Sequence, residues 1–245
     1  MEDHRGCIRS SAALAAVFAA CVLAGPAFGQ GAVPDMSGTF WATQYNAKVQ
    51  IVGGGDLPLT AKGKAAYEKN MAGLKDGSIS DDARKFCTPD GPVRNLATPY
   101  PFEIFQAPPG QVTMIHELNH QIRVITLDKP LPKYEELVAF PYYNGHAFGR
   151  YEGDTLVVQS AGFNEKTFLD ATGAPHTDEL VTTERIRKIS PTQIEIVVTV
   201  HDPDYYTRDW QARFVYQVRN DIRLEDYVCG EPHRNISGVQ GVRRP

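Results

Sequence analysis

Residues 145–176, GHAFGRYEGDTLVVQSAGFNEKTFLDATGAPH, hold the pattern that decides the fold. Two strand-like runs, 146–151 and 154–163, flank a Glu152-Gly153 turn, and the second is rich in β-branched residues. An apolar run, a turn with glycine and a second run predict a hairpin. The same punctuation recurs on both sides. Downstream, 180–189 and 193–200 flank Ser190-Pro191-Thr192, and 209–218 and 222–229 flank Asn220-Asp221. Upstream, 102–106 and 112–117 flank Pro108-Pro109-Gly110, and 121–127 follows after one more turn. Residues 38–45, GTFWATQY, read as a first strand. One helix is expected at 59–75, with Thr60 as N-cap and Leu59, Tyr67, Met71 and Leu74 sharing the face that packs on a sheet. Residues 76–95 and the proline-rich 128–143 read as loops.

Strands at intervals of roughly 8–12 residues with almost no helix between them predict a mainly β domain. About nine strands in series curl and close rather than stay flat. The expected architecture is an antiparallel up-and-down meander closed into a calycin/lipocalin-like barrel, with one N-terminal packing helix and a central cavity for one small ligand.

The start of the chain reads as a leader. Arg5 and Arg9 precede an apolar run, SAALAAVFAACVLAG at 11–25, and Ala27-Phe28-Gly29 offers small residues where a signal peptidase cuts. Residues 1–29 are therefore expected to be removed, leaving one domain at 30–245 outside the cytoplasm, in the periplasm. The leader run is too short for a stable membrane span. The net charge is −4, and the leader's two acids and two arginines cancel, which argues against a nucleic-acid partner. Cys7 and Cys21 leave with the leader, so Cys87 and Cys229 remain. An even pair in an exported chain predicts a disulfide. Closing a loop of about 140 residues, it would contribute about 4–5 kcal/mol in the chain-entropy model.

The candidate chemistry lies at three places. Glu117, His120 and Arg123 surround one tight turn in HELNHQIR. There a carboxylate, an imidazole and a guanidinium could bind an anion and move a proton, with Arg123 as the clamp. His146 and His176 bracket the opening stretch, with Asn164 and Asp170 between them. Glu184 falls by period 2 on an apolar strand face with Leu180, Thr182 and Ile186, so it needs a partner or a function. His120, His146, His176, Glu117 and Glu184 are the expected acid–base groups. Arg123, Tyr151, Asn164, Asp170 and Tyr227 are expected to bind a small, aromatic ligand. HExxH, paired histidines and Cys/His clusters are absent, so neither a metal nor another cofactor is expected.

The combination of PYPFEIFQ, HELNHQIRVITLD, GHAFGRYEGDTLVVQSAGFNEKTFLD and YVC resembles a large family of exported bacterial proteins, most of them without an assigned function. The matching positions include Glu117, His120, Arg123, His146, Asp154, Asn164, Asp170, His176, Glu184 and Cys229, across about 40–231. Phe and Trp are commoner in that family at His116 and Tyr151. At the level of fold alone, the residue types are similar to those of cofactor-free phenolic acid decarboxylases, which use tyrosine, arginine and glutamate inside a lipocalin-like barrel. That analogy implies a lyase of the decarboxylase type, or an isomerase. The alternative is a periplasmic binding or carrier protein without chemistry.

Overall fold

The computed structural model describes residues 33–227, and these build one closed barrel of nine strands, as expected. The strands are β1 (Gly38–Ala42), β2 (Phe102–Phe105), β3 (Gln111–His116), β4 (Gln121–Leu127), β5 (His146–Glu152), β6 (Thr155–Ala161), β7 (Val181–Ser190), β8 (Gln193–His201) and β9 (Trp210–Val218). Neighbours in sequence are neighbours in space, and β1 pairs with β9 to close the ring. One pair departs from the meander: β4 and β5 run parallel, Ile125 opposite Ala147. Their connection must return to the end from which β4 began, and it is long enough to do so. It carries a short helix, α4 (Tyr134–Val138), where the sequence reads as loop.

Because side chains alternate, each strand sends every second residue to the axis. Leu156, Val158, Ile186, Ile196 and Val198 meet there with no exposed surface. A ligand cavity would leave its walls accessible to a water-sized sphere. The expected central cavity is therefore filled by side chains at this level.

The two ends differ. At the hairpin end, tight turns join β2 to β3, β5 to β6 and β7 to β8, and the N-terminal residues 33–37 cross the opening. Met36 plugs it, 1% exposed, and Gln106 ties the segment down by accepting from Met36 N (2.6 Å) and donating to the Pro34 carbonyl (2.9 Å). At the loop end lie the long connections and three more helices: α1 (Ala61–Asp76), α2 (Asp82–Lys85) and α3 (Pro92–Leu96). The Thr60 side chain caps α1 through Gly63 N (3.0 Å). The helix does not lie on a sheet face with Tyr67 and Met71 inward together. It docks on the loop end through Gly63 and Tyr67, and Met71 is 41% exposed. Gly63 makes this approach possible, since a Cβ there would sit 2.2 Å from the Tyr205 carbonyl oxygen.

The expected final strand at 222–229 does not form within the described residues. β1 already occupies the free edge of β9, so residues 223–227 have no ladder to join and run without regular structure. Residues 1–29 and Cys229 lie outside the described residues. Among the described residues no helix is long and apolar enough to cross a membrane.

Candidate functional site

Arg123 and Glu184, predicted from different turns and faces, do meet. Arg123 points inward from β4 and Glu184 inward from β7. The guanidinium donates to both carboxylate oxygens, at 2.8 and 2.6 Å, and to the Ser160 hydroxyl on β6 at 2.7 Å. The two side chains are 5% and 0% exposed. Two buried charges are tolerable only when paired and hydrogen-bonded in this way. The clamp expected for a ligand anion is thus closed on a carboxylate of the chain itself. Arg123 Nε and the Thr182 hydroxyl remain without a partner in the same polar layer. His116 sits beside it, stacked on Phe102 with ring centroids 5.1 Å apart. Burial and the nearby Arg123 charge push its pKa down to about 3, so it is neutral at pH 7.

Tyr216 completes this region. Its hydroxyl donates to the Leu96 carbonyl at 2.6 Å, and burial next to Glu184 holds its pKa well above the ordinary tyrosine range.

The other predicted residues are elsewhere, and most hold main-chain groups. Glu117 accepts from Glu225 N at 2.8 Å, and His120 Nε2 accepts from Tyr227 N at 2.9 Å. His146 Nε2 meets the Phe140 carbonyl at 2.9 Å, so that nitrogen carries the proton. His176 is buried, with Nδ1 2.9 Å from the Thr177 carbonyl and Nε2 2.8 Å from the Thr167 hydroxyl. Nδ1 therefore donates, Nε2 accepts, and burial lowers the pKa. Asn164 closes a surface turn onto Lys166 N (3.1 Å). Tyr151 lies at the hairpin end, where its hydroxyl accepts from Gln106 (2.7 Å). Tyr227 packs edge-on against Tyr100, centroids 5.6 Å apart. No group of three or more His, Cys, Asp or Glu side chains able to hold a metal ion occurs among the described residues.

Asp170 has the most telling role. It accepts from Thr172 N (2.9 Å), the Thr172 hydroxyl (2.8 Å), Ala174 N (3.1 Å) and, across the structure, Val49 N (3.0 Å). Ala171 N adds a bond to the Ala47 carbonyl (2.9 Å). These contacts hold residues 43–50 away from β9. The chain leaves β9 after Thr43 and returns only where Ile51 pairs with Ala212. Beneath the detour opens a groove of about 140 Å³. Gln44, Asn46, Val49, Leu96, Arg213 and Tyr216 are among its walls. Arg213 is half exposed and donates through Nε to Glu195, which also accepts from Arg187 (3.2 Å). Arg213 is thus the guanidinium on the groove itself, sharing the Glu195 carboxylate with Arg187 outside it.

Sequence reading missed Ser160, Asp202 and this groove. Ser160 had a signal, since period 2 puts it on the inward face with Val158. Asp202 accepts from Thr177 N (2.6 Å) and Tyr205 N (3.2 Å), and partners of that kind are invisible in a sequence. Neither a protein-family model nor a curated protein matches this chain.

Proposed function

We propose that this chain is an exported, non-catalytic binding protein for one ring-sized carboxylated or phenolic molecule, held in the groove between residues 43–50, α3 and β9. The carrying observation is the groove. Its volume of about 140 Å³ is close to the engineered apolar cavity of about 150 Å³ that takes up benzene. Val49 and Leu96 offer apolar wall for a ring. Gln44, Asn46 and Arg213 offer donors for its oxygens. An acid–base pair is not part of this lining. Tyr216 has its hydroxyl committed to the Leu96 carbonyl and its proton held tightly. Export rests on the leader at residues 1–29, and a Cys87–Cys229 disulfide belongs to the same reading.

A second reading has one observation in its favour. Arg123, Glu184 and Tyr216 gather inside the barrel, the residue types of the phenolic acid decarboxylases. Proton transfer by them would require the packed axis to open to a substrate.

One experiment separates the two. Titrate benzoate and a series of hydroxycinnamates into the protein calorimetrically, then recover each compound and weigh it by mass spectrometry. Binding is expected, weakened about tenfold in Arg213→Ala by loss of one charge-assisted bond, with every compound recovered unchanged. Loss of carbon dioxide from a bound compound would transfer the assignment to a lyase. A panel in which nothing binds would remove the groove reading.

A further inference from the structure

Glu195 lies under two arginines on the outer face of the barrel, and the strand register places them. Arg187 on β7 stands directly opposite Glu195 on β8, and Arg213 on β9 stands opposite Val197, one diagonal step away. Long side chains reach a diagonal neighbour on the same face of a sheet. The two guanidinium groups take different oxygens. Arg187 donates to Oε1 through Nε (3.3 Å) and Nη2 (3.2 Å), and Arg213 donates to Oε2 through Nε. The carboxylate is covered to 10% exposure, whereas both arginines stay half exposed. Arg213 thus commits one of the five N–H donors of its guanidinium. Its Nη1 and Nη2 donate to no group among the described residues. Arg213 lines the groove beside β9, and Arg187 does not.

From this geometry, and resting on the groove as the binding site, we infer that it selects a carboxylate over a neutral ring compound, with Glu195 and Arg187 as positioning residues for Arg213. A guanidinium is a rigid planar fork. With Nε committed, Nη1 and Nη2 still present two parallel N–H groups along their shared edge, which a carboxylate accepts with both oxygens. A phenol is neutral near pH 7 and offers one oxygen, so it forgoes both the second bond and the charge. Glu195 orients the fork before a ligand arrives, and an exposed arginine held in advance loses less side-chain freedom on binding. Arg187 keeps Oε1 occupied. In its absence Glu195 is free to close on Arg213 with both oxygens, through Nε and Nη2, and to take one of the two donors left for the ligand. The Glu195 charge would also fall on Arg213 alone instead of being divided between two guanidinium groups.

The test is calorimetric titration of benzoate and benzamide, an anion and a neutral amide of nearly the same shape, into the protein at neutral pH. The quantity read is the ratio of their affinities. The wild type is expected to favour benzoate about tenfold, the size expected for a bidentate charge-assisted contact. Arg213→Ala should bring the ratio close to one. Arg187→Ala, a change outside the groove, should reduce the ratio to about threefold by loss of one of the two donors, with benzamide affinity unchanged. Arg187→Lys should restore part of the preference, because an ammonium still occupies Oε1 as a point charge. A wild-type ratio near one, with both rings binding, overturns the inference and leaves the groove reading standing. Failure of both rings to bind removes the groove reading and the inference with it. A benzoate preference unchanged in Arg187→Ala, or an equal loss for both ligands there, overturns the positioning role of Arg187 and Glu195.

Discussion

The hairpin end and the loop end of the barrel solve one problem differently. Both must close the axis against water. At the hairpin end the closure is local and largely apolar: short turns, Met36 as a plug, and two side chains, Gln106 and Lys188, bonding the crossing segment. At the loop end long connections bring in many main-chain groups that no ladder satisfies, and buried polar side chains bond them. Asp170, Asp202, His176 and Glu117 all take this part, and His120 does the same at the surface. The contrast teaches that a concentration of buried acids and histidines can follow from loop architecture alone. Catalysis is not needed to account for it.

The largest expected effect is at the polar layer below the loop end. Glu184→Ala leaves the Arg123 guanidinium buried and uncompensated, which should cost about 3–5 kcal/mol. The urea midpoint should drop accordingly. Replacing both residues by apolar ones of similar volume should recover most of the loss, because an apolar pair needs no compensation there. A double variant as unstable as Glu184→Ala would mean that the pair does more than fill the axis.

The next comparison sets one end against the other. Asp170→Ala strips the acceptor from Val49 N, Thr172 N and Ala174 N, for a loss of about 3 kcal/mol. Met36→Ala at the hairpin end should cost about 2–3 kcal/mol, at the lower side of its class because residues 33–37 can settle into the space. Binding separates them more sharply than stability. Asp170→Ala should abolish binding in the groove, whose outer wall it holds, whereas Met36→Ala should leave binding intact. Equal loss of binding in both would make the end-specific roles untenable.

These roles explain what was legible beforehand. β6, β7, β8 and β9 appear within a residue or two of their predicted positions, because period-2 patterning and turn residues are local and repeated. Closure followed from strand number. The parallel β4–β5 pair was not legible: the direction of a strand after an 18-residue connection leaves no trace in its own side-chain pattern. The site was legible only in part. Glu184 was recognisable as a charge on an apolar face and Arg123 as a guanidinium beside a tight turn, and they met. Glu117, His120, His146, His176 and Asp170 were recognisable as candidate chemistry, yet their partners are carbonyls, hydroxyls and amides. Main-chain groups carry no residue identity, so nothing in the sequence distinguishes a histidine that holds a backbone from one that moves a proton.

The smallest effect at neutral pH belongs to His116, and it sharpens the comparison by pH instead. In the unfolded chain its imidazole titrates near the ordinary value of about 6.5, whereas in the folded barrel it titrates at about 3. Across that interval the unfolded chain binds one more proton than the folded one. Stability from this group is therefore complete above about 6.5 and falls as pH drops towards 3, at up to about 1.4 kcal/mol per pH unit. By pH 4 the loss is about 3 kcal/mol. His176, also buried and lowered, adds a loss of the same sign. His116→Phe keeps a ring to stack on Phe102 and removes the titration. Its urea midpoint should match the wild type closely at pH 7.5 and exceed it increasingly below pH 6, with part of the acid lability retained through His176. Parallel stability curves for the two proteins from pH 7.5 to pH 4 would show that the His116 ring is hydrated in solution, and the dry polar layer around Arg123 would have to be abandoned with it.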